Sequence, residues 1–352
     1  MTDFDPVDFL SDAVKIESHE DVDEMRKFVI ETLEKYGENP ETDEVGNLIV
    51  SKGEGDKNLV LNTHLDTVNP HVEFRETKSR IYGRGACDAK GPLAAFLGAY
   101  LDAEPEGEVT LALVPNEETS SEGAYHLLES PKFDGDDFIV GEPTELDVCN
   151  MSRGRFDGEI CIRGESAHAS QPENGLNAIG AIGDIYHVAE NYGEGMNHKQ
   201  LGEPTLALTM AEAGSANNVL AEEAKLTFDR RSIPGEEATS FQGDFKHAIQ
   251  DRVDSGYEIE VKLTDRETPF LEAFYTDSDS SVVKALEVSG AGDTRSFGAV
   301  AESSYFSKMG DTVIFGPGSL DQAHSPGEYV NKEQVYRCAE LLSSAIDNYF
   351  EE

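Results

Sequence analysis

Apolar residues change their spacing along this chain, and each change marks a different kind of element. After Asp5-Pro6, the residues Phe9, Leu10, Ala13 and Val14 fall at the intervals of one helical face. Val22, Met25, Phe28, Val29 and Leu33 repeat that spacing over residues 20–36, and Gly37 stands where a C-terminal cap is expected. The runs then shorten. Gly46–Val50, Asn58–Leu65, Val109–Val114 and Phe138–Gly141 read as strands, with Leu93–Ala103 and Gly123–Leu128 as helices between them. Alternating strand and helix predicts an α/β domain with a mixed, mostly parallel sheet.

Past residue 153 the pattern changes. Phe156–Gly164 alternates apolar and polar residues, as a one-sided strand does. Helices are predicted at 177–191 and 235–253, and strands at 205–210, 224–231 and 257–263. The order β-α-β-β-α-β is that of a ferredoxin-like α+β unit. Patterns of the first kind return at 279–288, 313–315 and 332–349. The expected organisation is a catalytic domain in two parts, 1–153 and 266–352, with a lid domain inserted at 154–265.

Charge adds a condition. The 352 residues carry 28 Lys plus Arg and 70 Asp plus Glu, so 28 − 70 gives −42. The acids are spread over the whole length, and 38% hydrophobic content is enough to fold. Such a surface suits a halophilic cytosol, where a Debye length of about 3 Å at 1 M salt screens self-repulsion. It is a poor partner for nucleic acid or an anionic membrane. No run approaches the ~20 apolar residues of a membrane span, and Met1–Pro6 does not read as a signal peptide. A soluble, cytoplasmic protein is expected. The four cysteines have no CxxC spacing and read as buried small hydrophobes.

Candidate chemistry clusters at strand ends. His64-Leu65-Asp66 closes one apolar run, Glu117-Glu118 follows another, Glu142 follows a third, and His324 comes after Val313-Ile314-Phe315. Asp88 lies in the Gly83–Pro92 loop that opens a helix, with Pro92 suited to the first turn. In open α/β sheets, ligands bind beyond the carboxyl ends of the strands. Two imidazoles with several carboxylates and no thiol form a ligand set for Zn²⁺ or a similar divalent ion.

Together, His64-Leu65-Asp66, Gly83–Gly91, Glu117-Glu118, Glu142-Pro143-Thr144 and His324 resemble the dinuclear-zinc M20 family of aminoacylases and carboxypeptidases, in a haloarchaeal-type chain. The run Gly85–Ala95 is most similar to members that free lysine or ornithine from an amino-group carrier protein. The resemblance implies two divalent ions, Zn²⁺ or Co²⁺, bridged by Asp88. His64 and Glu142 would bind one ion, Glu118 and His324 the other, with Asp66 behind His64. A metal-bound imidazole needs its other nitrogen fixed by a carboxylate or carbonyl. Glu117, free of the ions, would be the general base for water attacking an amide and would return the proton to the departing amine. His168, in Ser166–Ser170, would hold the oxyanion, often across a homodimer. A cis peptide at Asp88–Ala89 is also implied.

For the substrate's α-carboxylate, Asn218 and Arg231 match positions the family uses, although Leu220 replaces a frequent proline. Which of Arg230 and Arg231 faces the substrate is left open by strand parity. Gly316 and Arg295 are further candidates for substrate contact. Three functions follow: hydrolysis of a lysine or ornithine conjugate of an acidic carrier protein, deacylation of a small molecule such as acetylornithine, or metal binding without catalysis.

Overall fold

The computed structural model describes residues 2–351. The chain divides into two compact units, one of residues 2–152 and 275–351 and one of residues 153–274. The return to the first unit thus falls at Tyr275 rather than at the expected 266.

The first unit is built on a nine-stranded sheet. Four neighbouring strands run parallel: Glu108–Val114, Asn58–His64, Asp137–Val140 and Asp311–Ile314. Leu48–Gly53 joins the first of these antiparallel. Every residue of Asn58–His64 is buried, as expected for a strand covered on both faces. The helix Lys90–Asp102 is buried along almost its whole length, because Leu93, Ala94, Ala95, Phe96, Leu97, Ala99 and Tyr100 leave it no polar face. It packs between the sheet and the helices Pro6–Ala13 and Lys332–Glu351.

The first unit departs from the sequence reading at one helix start and in one small sheet. The second helix begins at Asp23, not at 20, after a bend at His19–Glu20. It ends as expected, with Gly37 at φ 87° and Glu38 N–H donating to the Leu33 carbonyl. A three-stranded sheet of Arg75–Glu76, Arg80–Tyr82 and Tyr329–Asn331 was not anticipated, because strands of two and three residues carry no readable period.

The second unit pairs Gly154–Arg163, Thr205–Ala213, Glu223–Ser232 and Glu258–Leu263 in one antiparallel sheet. Gly154–Arg163 and Glu223–Ser232 are its centre. The helices Ile179–Asn191 and Ala238–Arg252 supply the apolar residues that bury Phe156, Ile160, Phe228 and Val261. This is the ferredoxin-like order. Cys161, expected in a core, is only half-buried, since alternate residues of its strand face away from the helices. Among the described residues no helix is long and apolar enough to cross a membrane.

Candidate metal centre

The four parallel strands end at one edge of the large sheet, and the loops leaving that edge carry the acids and imidazoles. His64 closes its strand opposite Val114. Glu117 and Glu118 lie just beyond Val114, Glu142 beyond Val140, and Gly316 beyond Ile314. Asp88 precedes the buried helix Lys90–Asp102 and is joined to Ala89 by a cis bond. Asn116 and His324 hold positive φ, 63° and 59°. Non-glycine residues are rare in that region and mark sites where the surroundings fix the backbone.

Three ligand groups result, each with its donor atoms within 4.8 Å of one another. His64, Asp88 and Glu142 form one; Asp88, Glu118 and His324 form the second; His64, Glu117 and Glu118 form the third. Asp88 belongs to the first two and is the shared member. His64 Nε2 lies 3.2 Å from Asp88 Oδ1 and 3.9 Å from Glu142 Oε1. His324 Nε2 lies 3.2 Å from Asp88 Oδ2 and 3.0 Å from Glu118 Oε1.

Asp66 serves this arrangement twice. Its carbonyl, at 3.0 Å, is the nearest acceptor for His64 Nδ1, ahead of its carboxylate at 3.4 Å. A carbonyl can only accept, so Nδ1 carries a proton, and Nε2 is the atom that would offer its lone pair to a cation. The Asp66 carboxylate meanwhile accepts the backbone N–H groups of Glu117 and Glu118 at 3.1 and 3.0 Å. One residue therefore fixes both a ligand's tautomer and the loop of the neighbouring acids.

The electrostatics call for positive charge. Burial pushes Glu117 up to about 8. Burial and the nearby Asp88 charge hold Glu142 well above the carboxylate range. The Asp88 and Glu118 carboxylates lift His324 to about 10. Burial pulls His64 down, but Asp66 and Asp88 outweigh it and hold it well above the histidine range. Excess buried carboxylates thus draw protons onto both imidazoles. Divalent cations would satisfy the same field with deprotonated ligands, so the donor set fits a pair of them.

Two further residues escaped the sequence reading. Glu328, fully buried, accepts Cys87 N–H at 2.9 Å and Asp88 N–H at 3.2 Å, and pairs with buried Arg84 at 2.6 Å. It stands four residues after His324, so it ties the two loops that carry Asp88 and His324. Glu302 is buried, its Oε1 has no hydrogen-bond partner, and burial and the Glu117 charge hold it well above the carboxylate range. Nothing in the sequence separates these two acids from the rest of the 70.

The remaining candidates lie elsewhere. Arg295 donates to Asp147 at 2.6 Å and to the Thr144 carbonyl at 2.9 Å, bracing the loop after Glu142. Gly316 packs so closely on that loop that a Cβ would meet the Glu142 carbonyl at 2.5 Å. In the second unit, Ala169 N–H donates to the Asn218 carbonyl, bringing His168 and Asn218 onto adjoining loops. His168 Nδ1 accepts Ser170 N–H at 3.2 Å, so in the neutral ring Nε2 carries the proton. Arg230 has a fully buried side chain bound to Glu236, whereas the Arg231 side chain is 41% exposed and paired with Asp229. Strand alternation thus sends Arg230 into the helix-covered core and Arg231 to the open sheet face.

A profile described as peptidase family M20/M25/M40 matches residues 60–348. The chain is similar to an acetylornithine deacetylase from Myxococcus xanthus, 30% identical, covering 86% of this chain and 84% of the relative. It is 28% identical to a protein of Pyrobaculum aerophilum provisionally named LysW-lysine/LysW-ornithine hydrolase, covering 97% and 96%. Among solved structures it is similar to the Bacillus subtilis YXEP protein, a dinuclear metal binding peptidase from M20 family. That match has a TM-score of 0.77 at 15% identity over 97% and 96% of the two chains.

Proposed function

This chain belongs to peptidase family M20/M25/M40 and is a hydrolytic enzyme, and we propose that it is a metal-dependent amidohydrolase releasing L-lysine or L-ornithine from an amino-group carrier protein. The observation that carries the hydrolytic assignment to a residue is Glu117. It is within reach of His64 and Glu118, yet outside both groups that share Asp88. A site built only to hold ions has no use for such an acid.

His64, Asp88 and Glu142 would hold one cation, and Asp88, Glu118 and His324 the other, as Zn²⁺ or Co²⁺. When bound, the cations polarise an amide carbonyl and make a neighbouring water more acidic. Glu117 takes the proton of that water and gives it to the departing amine. Its burial raises its proton affinity, which suits both halves of that transfer. His168 is assigned the oxyanion, since Ser170 occupies Nδ1 and Nε2–H is the donor that remains. Asn218 and Arg231 are assigned the substrate carboxylate.

The carrier-linked reading is supported by the near-complete coverage of the Pyrobaculum aerophilum relative. A second reading, acetylornithine deacetylation, is favoured by the higher identity of the Myxococcus xanthus relative. Hydrolysis of two amides in molar KCl with Zn²⁺ or Co²⁺ separates them: a carrier peptide with lysine on its terminal glutamate, and N-acetylornithine. Cleavage of the conjugate alone is expected; cleavage of acetylornithine alone would move the protein to the second reading. Glu117→Gln should lower kcat by about 10²–10⁴-fold with metal affinity retained. Unchanged turnover would remove Glu117 as the base.

A further inference from the structure

The most concentrated basic stretch of this acidic chain lies on the small three-stranded sheet. Arg75, Lys78 and Arg80 are the only three cations to fall within any six consecutive residues. Strand alternation sorts their neighbours. Ile81 and Val330 point inward and are buried. Arg80 and Tyr82 share the outward face of one strand, Tyr329 and Asn331 that of the next, and Arg75 lies opposite Tyr82.

On that face the guanidiniums stack on rings. The Arg75 Cζ lies 3.5 Å from the Tyr82 ring centre and the Arg80 Cζ lies 4.1 Å from that of Tyr329. The two rings are 5.4 Å apart. Arg80 is held further by Asn331, its Nε donating at 3.2 Å. The one carboxylate of the sheet strands, Glu76, is paired opposite inward-facing Ile81 and bound by Lys332. Among the described residues no ion pair engages Arg75, Lys78 or Arg80. Elsewhere Arg26, Arg155, Arg163, Arg252 and Arg337 each hold a carboxylate.

With 70 acids available, leaving three adjacent cations without one is a specific arrangement. Stacking occupies the face of a guanidinium and leaves N–H groups at its edge for a carboxylate, beyond those that Arg80 gives to Asn331 and both arginines give to Tyr82. Arg75–Glu76 is also an edge strand with both residues exposed, so an extended chain can lie along it.

We infer that the outward face of Arg75, Arg80, Tyr82 and Tyr329, with Lys78 at the hairpin turn, docks an acidic polypeptide through its carboxylates. The same sheet continues into the site: Tyr82 leads to the Asp88 loop, and Tyr329 follows His324 and Glu328. The inference deepens the carrier-linked reading and rests on it for the partner's identity, though not for the chemistry of the surface. Long-range repulsion from a net charge of −42 opposes any acidic ligand, so binding that does occur must come from a local feature.

The test uses the full chain and a fluorescent oligo-glutamate peptide, with a Gly-Ser peptide as neutral control, at low and at molar KCl. The wild type should bind oligo-glutamate and not the neutral peptide. Arg75→Gln with Arg80→Gln should weaken binding about tenfold or more, the scale of losing paired interfacial arginines. Arg75→Lys with Arg80→Lys should recover only part, because the fork is lost and the charge kept. Lys132→Gln, at an exposed lysine elsewhere, should change nothing. No binding by the wild type, or equal loss in Lys132→Gln, would overturn the inference.

Kinetics then separate the two claims. A higher KM for the carrier conjugate in the double glutamine variant, with an unchanged kcat, supports both. Peptide binding that depends on the two arginines, without conjugate cleavage by the wild type, sinks the carrier reading and leaves the surface. Conjugate cleavage with an unchanged KM in the variant sinks the surface and leaves the reading.

Discussion

Carboxylates gather in two places in this protein, under opposite conditions. At the edge of the large sheet, Asp88, Glu117, Glu118 and Glu142 crowd together at low exposure, with only His64 and His324 against them. On the open face of the second unit's four-stranded sheet, Asp229 pairs with Arg155, Glu223 with Arg163, and Glu159 with Lys225, all in contact with solvent. Both sets are written in the same residue types. The exposed set gains solubility and little else, since such pairs contribute about 0–1 kcal/mol. The buried set costs stability unless positive charge is supplied. The difference shows that acid content does not identify a site in a chain of charge −42; burial of like charges without compensation does.

The sharpest test of the buried set is Glu328. Glu328→Gln removes the carboxylate that faces buried Arg84, and stranding one member of a buried pair costs about 3–5 kcal/mol. Metal affinity should fall about 10–100-fold, the usual cost of losing a group that orients a ligand loop. Glu328→Gln combined with Arg84→Met should regain stability without regaining metal affinity. If the double variant binds metal normally, Glu328 does not position Asp88.

Glu142 should respond with opposite signs. Its carboxyl is held well above the usual range by burial and by Asp88, so folding at pH 7 is penalised by its charge. Glu142→Gln should therefore stabilise the metal-free protein by about 1–3 kcal/mol. The wild type gains about 2.7 kcal/mol from a metal at a hundred times its Kd, and the variant should forfeit that gain. Melting curves taken with and without Zn²⁺ should reverse the order of the two proteins. The same order in both would mean that Glu142 is not a ligand.

How much of this was readable follows from the physics of each signal. The parallel core was legible because strands buried on both faces leave apolar runs such as Leu59-Val60-Leu61, and the ferredoxin-like order because Phe156–Gly164 alternates. The acids beyond the strand ends were legible by position, and the structure brings His64, Asp88, Glu118, Glu142 and His324 into overlapping groups. The short sheet carrying Arg75 and Tyr82 was not, since pairing between residues 80–82 and 329–331 depends on contacts far apart in sequence. Glu328 and Glu302 were hidden for a related reason. Their importance lies in what surrounds them, and nothing local records it. Parity put Asp229 and Arg231 on one face but could not say which face the helices cover; the burial of Arg230 answers that.

Asp137 offers a milder version of the buried set, away from the ligand groups. Burial pushes it up to about 6, with Asp311 and Asp136 adding to the shift and a Tyr349 hydrogen bond opposing it. A carboxyl raised in the folded state destabilises folding once it is charged. The cost is full above pH 6 and fades as pH falls toward the unfolded value near 4. After discounting for partial exposure, Asp137→Asn should stabilise the protein by about 1–2 kcal/mol at pH 7. The gain should shrink to nothing near pH 4. A gain independent of pH would point to packing instead of charge.

The exposed set should barely register, and that contrast is informative. Arg155→Gln removes the partner of Asp229 from an open face where the arginine side chain is 47% exposed. Asp229 retains Arg231 at 2.8 Å, so no charge is stranded. The change in unfolding free energy should stay within about 0.5 kcal/mol, and what remains should vanish in molar KCl as the Debye length falls to about 3 Å. Salt should act in the opposite direction on the whole molecule. Screening relieves the repulsion of a −42 surface, so the wild type should melt higher in molar KCl than in dilute buffer. A melting temperature indifferent to salt would mean that the scattered acids are already compensated, and the electrostatic load of the fold would then lie with buried carboxyls such as the ligand cluster and Asp137.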